Sequence, residues 1–198
     1  MLHPDTEVRF INPVIGYGVV ATKLIPKGAI TWALDELDQI IDPARVPSFS
    51  PMAQAMVHKY AYIDGRGRHI LCWDHARFVN HSCEATCLST GYEFEMAIRD
   101  IQPGEQLTDD YGGLNIEESF ECACGSPKCR QTVRPDDILK LSATWDVSLA
   151  DTFGRFNSVP QPLWPVLRCQ EQVRDVLEGR SRLPSSITHY HAPESPIT

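Results

Sequence analysis

The heptapeptide Arg77-Phe78-Val79-Asn80-His81-Ser82-Cys83 says more about the fold than any other stretch of the chain. In it, a polar run from Asn80 to Cys83 directly follows an apolar Phe-Val pair. A strand or helix of a core gains nothing from such a change in mid-element, so the polar run is expected to serve a functional site. Cys83 has a further use, because a cysteine cluster later in the chain is one metal ligand short.

That cluster is Cys122-Ala123-Cys124-Gly125-Ser126-Pro127-Lys128-Cys129, with the spacing C-x-C-x4-C. Structural zinc is bound tetrahedrally by four side chains, so three thiolates leave one position open. Cys83 is the favoured fourth ligand, and Cys87 is the alternative. Cys72 and Cys169 lie in apolar surroundings and are interpreted as small core residues.

The third stretch of the set is Leu107-Thr108-Asp109-Asp110-Tyr111-Gly112. The Asn-His-Ser-Cys run, the Asp-Asp-Tyr-Gly run and the cysteine cluster, in this order, resemble the SET-domain protein lysine methyltransferases with a post-SET zinc site. The resemblance spans residues 8–133, and the combination is far more specific than any of its parts. It implies a SET-domain β-clip fold, in which the segments of Asn80 and Tyr111 form a pseudoknot.

Pattern alone predicts a mainly β chain with short helices, of the α+β class, because short strands and tight turns occur without regular strand-helix alternation. Residues 8–112 are the expected SET domain, with a variable insert at 43–70, and residues 113–133 are the expected post-SET zinc-binding segment. Residues 134–198 are expected to form a helical C-terminal extension, with its stronger helix starting at Trp164 and a loose tail starting at Ser181.

Three local patterns place individual elements. Residues 8–31 alternate as a β-hairpin would. Ser50-Pro51 has the form of a helix N-cap followed by proline at the first helical position, and Met52 and Met56 of that helix are expected in the core. Residues 93–99 alternate as a strand with one buried face, formed by Phe94, Met96 and Ile98.

Composition is that of a globular protein of 198 residues, 42% hydrophobic and 22% charged. No run approaches the roughly 20 apolar residues that cross a bilayer, so no membrane partner is expected. The N-terminus lacks the basic and apolar regions of a signal peptide. The seven cysteines are therefore expected to be reduced, in an intracellular protein that is cytoplasmic or nuclear.

The net charge of −8 is concentrated in one part of the chain. Residues 91–121 contain nine acidic side chains and one basic one, Arg99, and nine minus one accounts for the whole net charge. One interpretation is an acidic surface beside Tyr111 that attracts a basic peptide, and the other is a solvated face. Both disfavour direct binding of nucleic acid, because phosphate contacts need clustered Lys and Arg.

The resemblance also implies roles for the matched residues. Tyr111 would be the catalytic tyrosine at the methyl-transfer centre, with water rather than a strong base as the acceptor of the amine's proton. S-adenosylmethionine would be bound at the matched positions Gly16, Tyr17, Gly18, Arg77, Asn80 and His81. One structural zinc ion would be bound by Cys83, Cys122, Cys124 and Cys129.

Two positions depart from the family's pattern. Asp109 stands two residues before Tyr111, where the family commonly has an aromatic residue. A carboxylate there could accept a hydrogen bond from the lysine ammonium, or leave more room. The usual Pro-Asn after the Asn-His-Ser-Cys run is also missing, since Glu84-Ala85-Thr86-Cys87 follows.

The predicted function is that of a protein-lysine N-methyltransferase, which transfers a methyl group from S-adenosylmethionine to a lysine of a basic protein or peptide, a histone being one candidate. A non-catalytic SET-type module that binds peptides is the alternative. A hydrolase built on His81 and Cys83 is a third interpretation, but adjacent positions rarely meet as base and nucleophile.

Overall fold

The computed structural model of the chain describes residues 1–192. Twelve strands and three α-helices occur in this range, which confirms the expected α+β architecture of short elements. The strands are β1 (Thr6–Asn12), β2 (Gly16–Ala21), β3 (Ile30–Ala33), β4 (Gln39–Ile41), β5 (Tyr62–Ile63), β6 (His69–Leu71), β7 (Asn80–His81), β8 (Cys87–Ser89), β9 (Phe94–Ala97), β10 (Thr108–Asp109), β11 (Phe120–Glu121) and β12 (Thr132–Val133). The α-helices are α1 (Pro51–Tyr60), α2 (Asp137–Phe153) and α3 (Gln170–Leu177). None of these helices has the length and apolar character needed to cross a bilayer.

The strands form several small sheets instead of one large sheet. Their orders are β1-β2, β3-β9-β8, β4-β6-β5, β7-β10 and β11-β12. The pairing of β7 with β10 is parallel, whereas the other pairs described are antiparallel. This parallel pair places the two polar stretches of the sequence side by side, as the expected pseudoknot requires.

The N-terminal hairpin is shorter than the alternation of residues 8–31 predicts. It consists of β1 and β2, and Asn12 stabilises its turn by accepting hydrogen bonds at 2.9 Å from two N–H groups. Ile30–Ala33 leaves the hairpin and pairs with β9. The chain turns toward that sheet at Gly28, whose N–H donates to the carbonyl of Ala97 at 2.9 Å.

The sheet β3-β9-β8 lies at the centre of the protein, with Phe94 and Met96 fully buried as predicted. Ile98 lies just beyond the strand and is only half-buried. One hydrophobic cluster joins this sheet to the hairpin, and a second joins it to Phe153, Phe156 and other apolar side chains of the C-terminal extension. The extension therefore completes the core.

The sheet β4-β6-β5 and α1 lie in and around residues 43–70, the range predicted for the insert. Helix α1 begins as predicted, because the Ser50 hydroxyl accepts a hydrogen bond from the Ala53 N–H at 3.3 Å. The prediction of core methionines is wrong, since Met52 is 79% exposed and Met56 41% exposed. Val57 alone of this helix is buried, and it packs in the small core of the insert.

The C-terminal extension contains two α-helices, and the second starts later than the sequence predicts. Helix α2 packs Trp145 and Leu149 in a cluster with residues of β8 and the preceding loop. The turn at Trp164–Val166 is separated from α3 by Leu167, whose backbone is extended. The helix predicted from Trp164 therefore begins only at Gln170.

The segment expected to be a loose tail is packed against the domain through His191. The Asn115 side-chain amide donates to the carbonyls of Ile63 at 3.0 Å and His189 at 2.7 Å, and its oxygen accepts from the His191 N–H at 2.9 Å. Gly91 has no room for a side chain, because a Cβ there would lie 2.3 Å from the Pro184 oxygen. The remainder of the predicted tail, residues 193–198, lies outside the described residues.

Candidate active site

The parallel pairing of β7 and β10 brings the predicted site residues together. Asn80 lies opposite Thr108 and His81 opposite Asp109. The Ser82 N–H extends the pairing by donating to the Asp109 carbonyl at 3.0 Å. The short helix that carries Tyr111 starts directly after β10, so the Asn80 and Tyr111 stretches, far apart in sequence, meet at one point.

The His81 ring connects Tyr111 to the cysteine cluster. Its Nδ1 accepts a hydrogen bond from the Tyr111 N–H at 3.1 Å, and its Nε2 lies 3.4 Å from the Cys83 Sγ. A nitrogen that accepts from a backbone N–H carries no proton, so the neutral ring has its proton on Nε2, directed at the sulfur. Burial lowers the pKa of His81, although Asp110 opposes this shift. Because both ring nitrogens have partners within the protein, only the backbone of His81 can contact a cofactor.

Tyr111 is held in place by hydrogen bonds at both ends. Its hydroxyl donates to the Val79 carbonyl at 2.6 Å, and its ring packs at a tilt against His81, with 5.5 Å between centroids. Burial raises the pKa of Tyr111 well above its usual range, and the negative charges of Asp109 and Glu95 add to the shift. The phenol is therefore neutral and keeps its proton for hydrogen bonding.

Asp109 occupies the position where the family commonly has an aromatic side chain, and it is only 3% exposed. Its Oδ1 accepts a hydrogen bond from the Asp110 N–H at 2.7 Å, whereas its Oδ2 is buried without a hydrogen-bond donor. The carboxyl of Glu95 lies beside it. Burial raises the pKa of Asp109 well above its usual range, and the nearby Glu95 raises it further.

The predicted cofactor residues on the hairpin are linked to β7 through Asn80. Its side-chain NH2 donates to the Tyr17 carbonyl and to the Gln106 Oε1, both at 3.1 Å. Gly18 allows this close approach, because a Cβ there would lie 2.6 Å from the Asn80 Nδ2. Gly16 has a φ of +81°, a conformation that favours glycine. Sequence reasoning missed Gln106, which no motif marks.

Arg77 reaches the same region from the helical turn before β7. Its Nη2 donates to the Trp73 carbonyl at 3.1 Å, and its guanidinium lies 5.8 Å from the centre of the Phe78 ring. Its Nε is buried and has no hydrogen-bond partner. A buried donor without an acceptor is costly, so this atom is suited to an anionic group of a ligand.

The four predicted zinc ligands come together, and the alternative does not. The sulfur atoms of Cys83, Cys122, Cys124 and Cys129 all lie within 4.8 Å of one another. Cys87, the rival fourth ligand, is buried in the core that joins the hairpin to the central sheet. The donor set is four thiols in a compact, half-buried group, which fits the tetrathiolate chemistry of structural zinc.

An ion pair that sequence reasoning missed joins the cysteine segment to the residue before Tyr111. Arg130 donates to both carboxylate oxygens of the buried Asp110, at 2.6 and 2.7 Å, and lies 3.3 Å from Asp137 of α2. Its backbone N–H also donates to the Cys83 Sγ at 3.3 Å. The only signal in the sequence is a base directly after Cys129 and a second acid before Tyr111.

A cleft of about 1160 Å³ opens in front of Tyr111 and is mainly acidic. Six carboxyl groups line it, against the three bases Lys59, Arg66 and Arg77. The acids are Asp64, Glu93, Glu95, Asp109, Glu117 and Glu118. Five of the nine acids in residues 91–121 therefore line this cleft, as the acidic-surface interpretation requires.

Comparisons with known proteins identify the central part of the chain. Residues 16–112 match the family described as SET domain. The histone-lysine N-methyltransferase TRX1 of Oryza sativa subsp. japonica is 35% identical over 85 residues, which are 39% of this chain and 8% of that protein. The histone-lysine N-methyltransferase ash1 of Drosophila melanogaster is 29% identical over 147 residues, which are 66% of this chain and 6% of that protein.

Among solved structures, KRYPTONITE in complex with mCHG DNA and SAH is similar with a TM-score of 0.46 and 22% identity, over 67% of this chain and 29% of that chain. The chain spans less than a tenth of the length of the two curated relatives. The family match covers the glycine-containing strand β2, the Asn80 stretch and Tyr111 in one continuous segment. Residues 16–112, just under half of this chain, therefore match the SET-domain family.

Proposed function

We propose that the protein is a protein-lysine N-methyltransferase that uses S-adenosylmethionine. The observation that carries the proposal is the position of the Tyr111 hydroxyl, held by the Val79 carbonyl at 2.6 Å on the wall of a cleft lined by acids. Methyl transfer to an amine is an in-line displacement, so catalysis depends mainly on orientation and on exclusion of water. A rigidly held phenol meets the first need.

Tyr111 orients the amine in this proposal. The phenol keeps its proton, because burial raises the pKa of Tyr111. Its oxygen can accept a hydrogen bond from the amine of the substrate while its proton stays with Val79. The hydrogen bond from the Tyr111 N–H to His81 fixes the backbone on the other side of the ring.

S-adenosylmethionine would be held by Gly16, Tyr17, Gly18, Arg77, Asn80 and His81, the positions that match the family. The buried and unpaired Nε of Arg77 supports this assignment, since the cofactor has a carboxylate that such a donor can bind. The bound cofactor would supply the methyl group from its sulfonium. His81 would contribute through its backbone, because both ring nitrogens are engaged within the protein.

Zinc would be bound by Cys83, Cys122, Cys124 and Cys129. Four thiolates leave no open position on zinc, so the ion would be structural. Cys83 follows β7 and the other three ligands lie beyond Tyr111, so the metal would join the two ends of the site. Arg130 supports the same connection through its pair with Asp110.

The substrate would be a basic protein or peptide, because acids outnumber bases in the cleft by six to three. Opposite charge accelerates association and orients the partner. A histone is the first candidate, since the similar proteins of rice and Drosophila are named histone-lysine N-methyltransferases. A histone substrate would place the protein in the nucleus.

The test is transfer of a radiolabelled methyl group from S-adenosylmethionine to core histones and to an array of basic peptides. We expect label on lysine with the wild-type protein, and at least a hundred-fold less, as an order of magnitude, with Tyr111→Phe. Tyr190→Phe is the matched control, because this tyrosine lies outside the cleft. Peptide binding without any transfer by zinc-loaded protein would instead identify a non-catalytic binding module.

A further inference from the structure

The Oδ2 of Asp109 is a buried acceptor that no group of the described protein satisfies as a donor. Asp109 is 3% exposed and lines the cleft beside Tyr111. Its other oxygen already accepts a hydrogen bond from the Asp110 N–H at 2.7 Å. A buried polar atom without a partner is destabilising. The unpaired Oδ2 in the lining of the cleft therefore points to a hydrogen-bond donor that arrives with a ligand.

Glu95 of β9 is a neighbour of Asp109 and also lines the cleft. Its carboxyl lies beside the side chains of Asp109 and Ser89. Two carboxylates in contact in a buried place cannot both be ionised at neutral pH. Burial raises the pKa of Glu95 to about 7, and it also raises the pKa of Asp109 well above its usual range. The pair thus carries one negative charge above about pH 7.

We propose that Asp109 and Glu95 together form the subsite that binds the cationic amine of the substrate and accepts its proton before methyl transfer. The inference rests on the proposed methyltransferase function and adds a proton acceptor to it. An ammonium group donates hydrogen bonds and carries the opposite charge, so it satisfies both the unpaired Oδ2 and the charge of the pair. The position beside Tyr111 places that amine at the proposed reaction centre.

The other titratable and charged groups around the pair do not take this role. Asp110 is bound to Arg130 at 2.6 and 2.7 Å. The positive charge of the N-terminal amine lowers the pKa of Glu95 from a distance, but this amine is already paired with Asp35 at 2.7 Å. The remaining groups are neutral, because burial raises the pKa of each: Tyr62, Cys72, Cys87 and Tyr111. The negative charge at the cleft floor therefore has no ion-pair partner in the described chain.

One proton moves from the lysine ammonium to the ionised carboxylate of the pair, which leaves a neutral amine and a neutral pair. The nitrogen lone pair then forms the N–C bond to the methyl group of the sulfonium donor, while the C–S bond breaks and its electron pair stays on sulfur. The products are a methylammonium and a thioether. The pair then loses its extra proton to water in the cleft.

The experiment compares wild type, Asp109→Asn and Glu95→Gln in kcat/KM for the peptide that the wild type methylates best, across pH 6 to 10. In the wild type, kcat/KM should rise through about pH 7 and then level off, because the pair ionises there. In both variants this step should vanish, with roughly a hundred-fold loss at pH 8 that shrinks toward pH 10, where lysine loses its own proton. Glu36→Gln, which removes an exposed carboxylate outside the cleft, should stay within about threefold of wild type.

A binding measurement separates proton transfer from mere structural support. The same peptide with norleucine in place of the target lysine has no charge, so it should bind the wild type at least about tenfold more weakly than the lysine peptide. This preference should disappear in Asp109→Asn and in Glu95→Gln, with zinc content and melting temperature as checks on folding. Normal pH profiles and an unchanged lysine preference in both variants would overturn the inference and leave the proposed function intact. A wild type that transfers no methyl group overturns both.

Discussion

The Nδ1 of His81 accepts a hydrogen bond from the Tyr111 N–H at 3.1 Å, and this contact joins the Asn80 and Tyr111 stretches at one point. The opposite nitrogen of the ring lies 3.4 Å from the Cys83 Sγ. A single imidazole therefore connects the proposed catalytic residue to the proposed zinc site. Disturbing either end is expected to affect the other.

His81→Phe should distinguish the contribution of the hydrogen bond between His81 and Tyr111 from that of aromatic packing. Phenylalanine keeps a ring beside Phe120, 5.9 Å away, but it leaves the Tyr111 N–H without an acceptor. An unpaired buried N–H costs about 1–3 kcal/mol, so the free energy of unfolding in urea should fall by that amount. His75→Phe, at an exposed position, should change it by less than about 0.5 kcal/mol. Equal stability of wild type and His81→Phe would show that the contact contributes nothing.

Zinc should bind in the ratio of one ion per chain. Replacing Cys122 or Cys124 with Ser removes one of four clustered thiols, so the metal should be lost and the segment after Tyr111 should become sensitive to protease. Cys169→Ser is the control, because this thiol lies in the core cluster of the C-terminal extension. Elemental analysis decides the outcome, and a metal-free wild type with full activity would contradict the prediction.

Arg130→Ala should destabilise the protein strongly. It leaves the carboxylate of Asp110, which accepts two hydrogen bonds from Arg130, buried without its counter-ion. Loss of one partner of a buried pair costs about 3 kcal/mol or more. Arg130→Lys should restore part of this loss, since a lysine keeps the charge but not the two-fold hydrogen bond.

The matched control is Arg134→Ala, which removes an exposed guanidinium from the same segment. Thermal unfolding of the zinc-loaded proteins gives the comparison. If Arg130→Ala and Arg134→Ala have the same melting temperature, the ion pair of Arg130 with Asp110 does not stabilise the folded state.

Glu95 should make the protein less stable as the pH rises. Burial raises its pKa from 4.5 to about 7, so the folded state binds more protons than the unfolded state between these values. Stability from this group is therefore fully present below about pH 4.5 and is lost as the pH rises through about 7. The slope reaches at most about 1.4 kcal/mol per pH unit.

Urea unfolding of wild type and Glu95→Gln from pH 5 to 8 tests the contribution of the Glu95–Asp109 pair, because shifts of groups away from this pair cancel in the difference. The free energy of unfolding of wild type should fall relative to that of the variant as the pH rises. Glu93→Gln should run parallel to wild type, since Glu93 is exposed. A constant difference between wild type and Glu95→Gln would exclude a raised pKa of Glu95.

The sequence alone predicts those elements whose defining residues lie close together in the chain. The spacing of Cys122, Cys124 and Cys129 and the run that ends in Cys83 predict the cysteine cluster, because a metal site constrains residue type and spacing directly. The N-cap at Ser50 is predicted for the same reason, since its hydrogen bond spans only three residues. The Tyr111 and Asn80 stretches could be placed together only through the family resemblance.

The features that sequence reasoning missed depend on partners far away in the chain. Arg130 and Asp110 are twenty residues apart and lie in no periodic pattern, so neither signals the other. The segment from Ser181 has the composition of a loop, yet Asn115 pairs with its backbone at His189 and His191. The hairpin was predicted too long because β3 gains its partner, β9, from sixty residues further on.

Substitutions of Tyr111 and Asn80 should impair methyl transfer in different ways. If Tyr111 orients the amine only during transfer, Tyr111→Phe should lower kcat while S-adenosylmethionine binds as in wild type. Asn80 holds the Tyr17 carbonyl and Gln106 at 3.1 Å, so Asn80→Ala should loosen the proposed cofactor site itself. We expect this to weaken S-adenosylmethionine binding by about 1–3 kcal/mol.

Calorimetry of S-adenosylmethionine binding and single-turnover methyl transfer, measured on both variants, separate the two effects. Tyr190→Phe serves again as the control for loss of a phenol outside the cleft. Tyr111 also donates to the Val79 carbonyl, so Tyr111→Phe leaves that carbonyl unpaired, and its melting temperature must be shown to be close to that of wild type. If Tyr111→Phe is stable, slow methyl transfer together with normal affinity for S-adenosylmethionine would show that Tyr111 acts in the transition state. Full methyl transfer by Tyr111→Phe would remove it from the reaction centre, even if Asn80→Ala binds cofactor poorly.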